Sequence, residues 1–370
     1  MKYVQINAYA TGWADSIIFQ KHRQLIKNGV ESWVFWGRSG GKEDAHCKRI
    51  ATTFENCLDG FLTRINGRPG FYSWTSTARL LKALDAIQPD IVHLHLLLGY
   101  YINVEMLFNW LSRQKCQVYW TLHDCWAVTG HCTYFTAVQC DQWKTGCENC
   151  PQQNTYPETF FRGREHLNFL EKKRLFTMLP PEQMKLIVPS RWLKGIVEQS
   201  YLAKYPIEIR YNTIDKSIFK PTASDIKAKY CQKGEFLILG VASKWSERKG
   251  LKDFIRLSEL FKGKCKIVLV GVSEKQMKEL PSNIVALTRT SNKEELVKLY
   301  SAADVFFNPT KEDNYPTVNL EAEACGTPVI TYSAGGSAET IKRDDSKAVN
   351  SFEDAVVVFQ KLMGYNNIQF

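Results

Sequence analysis

Short apolar runs alternate with stretches of helical spacing along most of the chain. Lys2 to Asn7 predicts a first strand, and after the turn Ala10-Thr11-Gly12 a helix with Ser16 as N-cap runs through Ile17, Ile18, Leu25 and Ile26 to stop at Gly29. Ser32 to Trp36 predicts a second strand and Thr77 to Ile87 a helix. After the break at Pro89, the continuous apolar run Ile91-Val92-His93-Leu94 has the character of a strand buried on both faces, which implies a parallel sheet. A helix from about Asn103 to Ser112 precedes a strand at Val118 to Leu122, whose carboxyl end delivers His123 and Asp124. Met184 to Val188 and Ile207 to Tyr211 add two strands around a helix beginning near Arg191.

The rhythm restarts after Pro221. Phe236–Val241, Lys266–Val270, Ile284–Leu287, Val305–Phe307 and Val329–Thr331 predict strands, separated by helical patterns at Leu251–Phe261, Lys293–Tyr300 and Val318–Cys325. A last amphipathic helix runs from Glu353 to Met363. The expectation is an α/β chain of two doubly wound parallel-sheet domains, with ligand crevices at the carboxyl ends of the strands, facing each other across a cleft.

Composition narrows the function. At 370 residues the chain is long enough for two domains, and its longest apolar runs fall far short of the roughly 20 residues that span a bilayer. No secretory signal is readable at the amino terminus, so the expected location is cytoplasmic. A net charge of +10 favours an anionic partner, but the basic residues are scattered and form no basic-aromatic repeat, which argues against nucleic acid.

The densest chemistry lies between Asn308 and Pro328. Asp313 stands eight residues before Glu321, one on a loop and one in the first turns of a helix beginning about Pro316, where free N–H groups and the helix dipole favour an anion. The alternative is a capped helix with solvated acids. Ser243 to Gly250 follows the first strand of the same domain, and Lys244 and Lys249 there can converge on a diphosphate and neutralise it as a divalent metal otherwise would. No catalytic metal is therefore expected. The alternative is a surface loop that happens to carry three cations.

Glu312 to Pro328, Ser243 to Gly250, Ala302-Ala303-Asp304-Val305-Phe306 and Gly335-Gly336-Ser337-Ala338-Glu339 resemble, in order and spacing, the nucleotide-sugar domain of retaining GT-B glycosyltransferases of family 4. In the first half, Pro89-Asp90-Ile91-Val92-His93-Leu94-His95 and Thr121-Leu122-His123-Asp124-Cys125-Trp126 resemble the subgroup of colanic acid, capsule and related exopolysaccharide synthesis. The resemblance spans nearly the whole chain. It implies a GT-B fold with a Rossmann-like acceptor domain at 1–212, a Rossmann-like nucleotide-sugar domain at 213–350, and a carboxyl-terminal helix at 351–370 packing back toward the first domain.

The same resemblance implies the site. Lys244 and Lys249, with Ser243, lie at the donor diphosphate, Asp313 at hydroxyls of the donor sugar, and Glu321 at the ribose. The family's paired-acid motif normally begins with Glu; here Asp313 takes that place and Glu312 is its neighbouring rival. Asn314, Tyr315, Pro316 and Thr317 supply the backbone around sugar and phosphate, Arg289 and Thr290 lie near the base, and Gly12 belongs to a loop near the phosphates. His123 faces the sugar from the first domain, the alternative being a core histidine at a strand end. The implied partners are a UDP- or GDP-sugar and a polyprenyl-linked saccharide acceptor, with peripheral contact to an anionic inner membrane through surface that includes the Arg64 to Trp74 region.

Eleven cysteines, without a signal peptide, are expected to be reduced. Cys132, Cys140, Cys147 and Cys150 crowd into an irregular insertion at about 125–151, with seven, six and two residues between them. Four thiolates there suit a structural zinc, and only Cys147-x-x-Cys150 has knuckle spacing. The alternative is small buried thiols packed around Trp126 and Trp143. A transferase thus leads, ahead of a nucleotide-sugar 2-epimerase on the same scaffold and a zinc-knuckle nucleic-acid-binding protein.

Overall fold

A computed structural model describes residues 1–10, 13–38 and 40–365, with side chains in the first helix from residue 17 onward. The chain divides into two compact units, Met1–Arg210 and Tyr211–Phe370. Among the described residues no helix is long and apolar enough to cross a membrane.

The first unit runs β1 (Lys2–Asn7), α1 (Trp13–Lys27), β2 (Glu31–Trp36), β3 (Cys47–Arg49), α2 (Thr53–Asn66), α3 (Trp74–Ile87), β4 (Ile91–Leu94), α4 (Val104–Leu111), β5 (Gln117–Thr121), α5 (Glu165–Phe176), β6 (Met184–Val188), α6 (Arg191–Val197) and β7 (Ile207–Ile209). Its seven strands stand in the order β3-β2-β1-β4-β5-β6-β7, each pair parallel. Val4, Ile6, Val92, Leu94, Val118 and Trp120 on the three central strands are buried in one core; they stand two apart on each strand and so share one face of the sheet. The helix α1 begins at Trp13, three residues ahead of the expected Ser16 cap.

The second unit runs α7 (Ile226–Tyr230), β8 (Phe236–Val241), α8 (Leu251–Leu260), β9 (Cys265–Val270), α9 (Glu274–Glu279), β10 (Ile284–Leu287), α10 (Lys293–Ala302), β11 (Val305–Asn308), α11 (Thr317–Ala324), β12 (Val329–Tyr332), β13 (Lys347–Val349) and α12 (Phe352–Leu362). Its six strands are ordered β10-β9-β8-β11-β12-β13, again all parallel. Ile238, Ile267, Leu269 and Phe307 feed one apolar cluster, whereas Leu237, Leu239, Val268 and Phe306 feed another. That alternation puts a core on each face of the sheet. The buried face of α12, with Phe352, Val356 and Phe359, is taken up by the second unit's own core, Phe359 packing on Phe307.

In each sheet the strand order reverses once, at β1/β4 and at β8/β11. Neighbouring strands there send their connections to opposite sides, and the carboxyl ends of the strands at such a reversal are where open α/β sheets bind ligands.

Candidate active site

Because β8 and β11 are neighbours in the sheet, the loops that follow them meet. The Lys311 N–H donates to the Arg248 carbonyl at 2.8 Å, and the Arg248 guanidinium donates to the Glu312 carbonyl. Lys249 Nζ then lies 2.5 Å from Asp313 Oδ2, a pair with side chains 21% and 14% exposed. Two glycines permit this approach. At Gly250 (φ 77°) a Cβ would fall 2.3 Å from the Pro309 carbonyl, and at Gly335 (φ 62°) one would fall 2.0 Å from the Asp313 carbonyl. The Gly336 N–H donates to that same carbonyl at 2.9 Å.

Burial alone would raise the Asp313 carboxyl, but the charges of Lys249 and Arg248 outweigh it and hold Asp313 below the ordinary carboxylate value. The rival acid Glu312 is fully buried. Asp313 is paired with Lys249.

Glu321 sits on α11, half-buried, and accepts from the Tyr300 hydroxyl at 3.0 Å. Burial raises its carboxyl, against the opposing effect of bonds from Tyr300 and Thr317. The two acids thus differ electrostatically: cations hold Asp313 ionised, whereas Glu321 is held mainly by the neutral donors Tyr300 and Thr317. Lys244 and Ser243 are exposed on the loop after β8, and Arg289 and Thr290 follow β10 at the same end of the sheet. Asn314, Tyr315 and Pro316 are buried ahead of α11 while Thr317 is half-buried, and the Asn314 N–H donates to Asp313 Oδ1 at 2.9 Å. The Tyr315 carbonyl accepts from Asn212 at 3.2 Å.

Several supports escaped the sequence reading. Asn319 on α11 accepts from Asn308 at the end of β11 and donates to Thr340 Oγ1, both at 2.8 Å, all three side chains being buried. Asn319 lies inside the motif, but a buried amide gives no periodic signal; nor does Tyr300, 21 residues from its partner in sequence.

In the first unit, His123 lies just past β5 and lines a cavity with His95, Leu98, Asp124 and Trp126. His95 is buried, packs between His93 (ring centroids 4.1 Å apart) and His123 (5.8 Å), and among the described residues has no hydrogen-bond partner on either ring nitrogen. His93 is fixed between Tyr3 Oη at 2.8 Å and Thr121 Oγ1 at 2.7 Å. Burial lowers His123 to about 4, so its ring is neutral at pH 7 and able to donate from one nitrogen and accept at the other. Gly12 lies outside the described residues.

Cys132, Cys140, Cys147 and Cys150 do come together, lining one small cavity under Phe135 and Trp143, whose rings stack 5.1 Å apart. Yet among the described residues no group of three or more His, Cys, Asp or Glu side chains is placed to hold a metal ion. The donor set therefore does not fit the expected zinc. Burial raises Cys147 to about 11, and the hydrogen bond between Cys132 and Cys150 raises the first and lowers the second, so the cavity packs small thiols of which two share a bond.

Residues 223–358 match the family of glycosyl transferases group 1. The chain is 25% identical, over 95% of its length and 88% of the relative's, to the putative colanic acid biosynthesis glycosyl transferase WcaC of Escherichia coli K12. It is 30% identical over 100 residues to the N,N'-diacetylbacillosaminyl-diphospho-undecaprenol alpha-1,3-N-acetylgalactosaminyltransferase of Campylobacter jejuni, a match to 25% of this chain and 26% of that one. An Escherichia coli structure described as trehalose-6-phosphate bound with UDP-2-fluoro glucose superposes with a TM-score of 0.67 at 11% identity, over 98% of this chain and 91% of that one. The chain is a glycosyltransferase of the GT-B fold, and its second unit carries the group 1 glycosyl transferase module.

Proposed function

We propose that the protein moves a sugar from a UDP- or GDP-sugar to a hydroxyl of a growing polysaccharide unit carried on a polyprenyl lipid, with retention of configuration, at the cytoplasmic leaflet. The observation that carries this reading is the Lys249–Asp313 pair between the loops after β8 and β11, with Glu321 on α11, the helix that follows β11. A donor entering there competes for both ends of the ion pair. Its diphosphate takes Lys249, assisted by exposed Lys244, while sugar hydroxyls take Asp313 and the ribose takes Glu321. The charge that grows on the departing diphosphate is met by lysines already in place, which lowers the barrier without reorganisation at the moment of reaction. Asp313 orients the donor sugar, and the acceptor hydroxyl is the nucleophile.

The relatives support the finer assignments: the Escherichia coli relative a polysaccharide product, the Campylobacter relative a lipid-diphosphate acceptor, and the structure with UDP-2-fluoro glucose a uridine donor. The test is transfer from labelled UDP- and GDP-sugars to polyprenyl-diphosphate-linked saccharides, with the anomeric configuration of the product read by NMR. An axial donor bond that becomes axial in the product agrees; inversion contradicts retention. An epimerised sugar formed without acceptor makes the protein an epimerase instead.

A further inference from the structure

Cys150 stands in the wall between two cavities. On its inner side it lines the small apolar cavity of Cys132, Cys140 and Cys147, and on its outer side an open pocket of about 260 Å³ with Asn149, Gln153, Arg162 and Glu165. Cys132 and Cys147 are buried, whereas Cys150 is half-buried. Of the four thiols, Cys150 is the one placed to meet a solute in the outer pocket and a second thiol in the inner cavity. That second thiol is Cys132, which is hydrogen-bonded to it. The bond polarises the pair: it keeps the proton on Cys132 and favours the thiolate on Cys150, to which the Gln152 backbone also bonds. Burial pushes Cys47, Cys116, Cys147, Cys265 and Cys325 the other way. An accessible sulfur with thiolate character beside a thiol that can resolve it is the arrangement of a redox-sensing cysteine.

The backbone on both sides of the pair is already fixed. The Cys150 N–H donates to Glu165 Oε1 at 3.0 Å, and the same buried carboxylate accepts from the Gly163 N–H at 3.0 Å and from Gln153 at 3.2 Å. The Cys132 carbonyl accepts from Thr129 Oγ1 at 2.6 Å, and the Thr133 carbonyl next to it accepts from the Cys125 N–H at 2.9 Å. Cys150 is thus tied to the start of α5 and Cys132 to the segment that follows β5. A bond between their sulfurs joins two segments that already stand in place.

We propose that Cys150 and Cys132 form an oxidation site, which a peroxide entering the outer pocket converts to a disulfide that closes the loop 132–150. The Cys150 sulfur attacks one peroxide oxygen, the O–O bond breaks, and Cys150 becomes a sulfenic acid; the departing hydroxide takes the proton that the Cys150 thiol lost and leaves as water. The Cys132 sulfur then attacks Cys150 Sγ, and its proton leaves with the sulfenic hydroxyl as a second water while the S–S bond forms. The two thiols lose two electrons between them, and one peroxide is reduced to two waters. In a reducing compartment such a bridge is transient, because thiol–disulfide exchange with a small thiol reopens it. While it lasts, it restricts opening of the insertion that runs from the end of β5 to α5.

The reduced full chain is treated with hydrogen peroxide in native buffer, the remaining thiols are blocked with N-ethylmaleimide, and the linkages are mapped by peptide mass spectrometry; dimedone in a parallel sample traps sulfenic acid. The expected result is a Cys132–Cys150 bridge as the first linkage to form, and recovery of both thiols on adding dithiothreitol. Cys150→Ala and Cys132→Ala are each expected to lose the bridge, and Cys132→Ala to carry dimedone on Cys150. Alanine avoids setting a hydroxyl in the apolar cavity, and should a variant fail to fold, the wild-type map decides alone. Oxidation of the exposed Cys57 while Cys150 keeps its thiol overturns the proposal. A first bridge that pairs Cys140 or Cys147 overturns it too, as does Cys150 oxidised past the sulfenic acid with no bridge that dithiothreitol reopens.

Discussion

Lys249 and Asp313, 64 residues apart in sequence, form a partly buried ion pair between the loops that follow adjacent strands β8 and β11. Its position, not its bond, separates it from the other ion pairs of the protein. It lies where the strand order reverses, on backbone that tolerates no Cβ at Gly250 or Gly335, and a donor's diphosphate and sugar present the same two complements.

A double-mutant cycle tests this dual role. Lys249→Met and Asp313→Asn are each expected to cost roughly 1–3 kcal/mol of stability, because each leaves a partly buried partner unmatched. The double variant is expected to regain part of that stability and none of the activity. Lys249→Met lowers kcat on the order of 10²–10³-fold, as loss of a key electrostatic contact does. Activity that recovers along with stability would make the pair purely structural.

Glu321 is oriented by Tyr300, whose own side chain is a positioning group. Tyr300→Phe should raise KM for the donor about tenfold and leave kcat nearly unchanged, since the lost bond orients a group that holds donor in ground and transition state alike. Glu321→Gln should weaken nucleotide binding further. A fall in kcat at unchanged KM for Tyr300→Phe would place Glu321 in the chemistry instead.

Asp59, the buried anchor of α2, is raised by burial from 3.8 to about 6, against opposing bonds from Ser73 and Thr63. Its folded value lies above its unfolded one, so its contribution to stability is complete below about 3.8 and is lost as pH rises through about 6. Asp59→Asn should therefore stabilise the protein at pH 7 relative to pH 4, by up to about 3 kcal/mol. Thermal melts across that range check it; parallel pH curves for both proteins would contradict the assigned cause.

The cysteine cavity also has a definite expectation. Packed thiols predict that a strong chelator leaves the melting temperature unchanged, while Cys147→Ser lowers it by putting a hydroxyl among apolar neighbours. About one zinc per chain by elemental analysis, with a melting temperature that falls on chelation, would restore the metal reading.

The central strands and the loops at their carboxyl ends were legible because a strand buried on both faces must be continuously apolar, and Ile91–Leu94 and Phe236–Val241 are. The elements that escaped break that rule. The edge strands Cys47–Arg49 and Lys347–Val349 are three residues long and too short to show a period. The helix α2 buries Asn56, Asp59 and Thr63, so hydropathy points its face the wrong way, and α5 buries Glu165, Asn168 and Lys172 beside Phe169, Leu175 and Phe176, so hydropathy marks no clear face. Lys172 is held inside by the Trp126 carbonyl at 2.5 Å and by the Trp126 ring, contacts between residues 46 apart in sequence. At the candidate site, spacing singled out Asp313, Glu321 and the two lysines, and their roles came from the family resemblance. The Asn308-Asn319-Thr340 bridge depends on three-dimensional neighbours that no local pattern encodes.

The most direct measurement is the thermal shift of the full chain with UDP-, GDP- and TDP-sugars, in parallel with Lys249→Ala and Glu321→Gln. A donor that binds only the folded state raises stability by about 2.7 kcal/mol at 100 times its Kd. The account predicts a clear rise in melting temperature with at least one donor for the wild-type chain, and a smaller rise or none for the two variants. No shift with any of the three, or an equal shift in the variants, would contradict it.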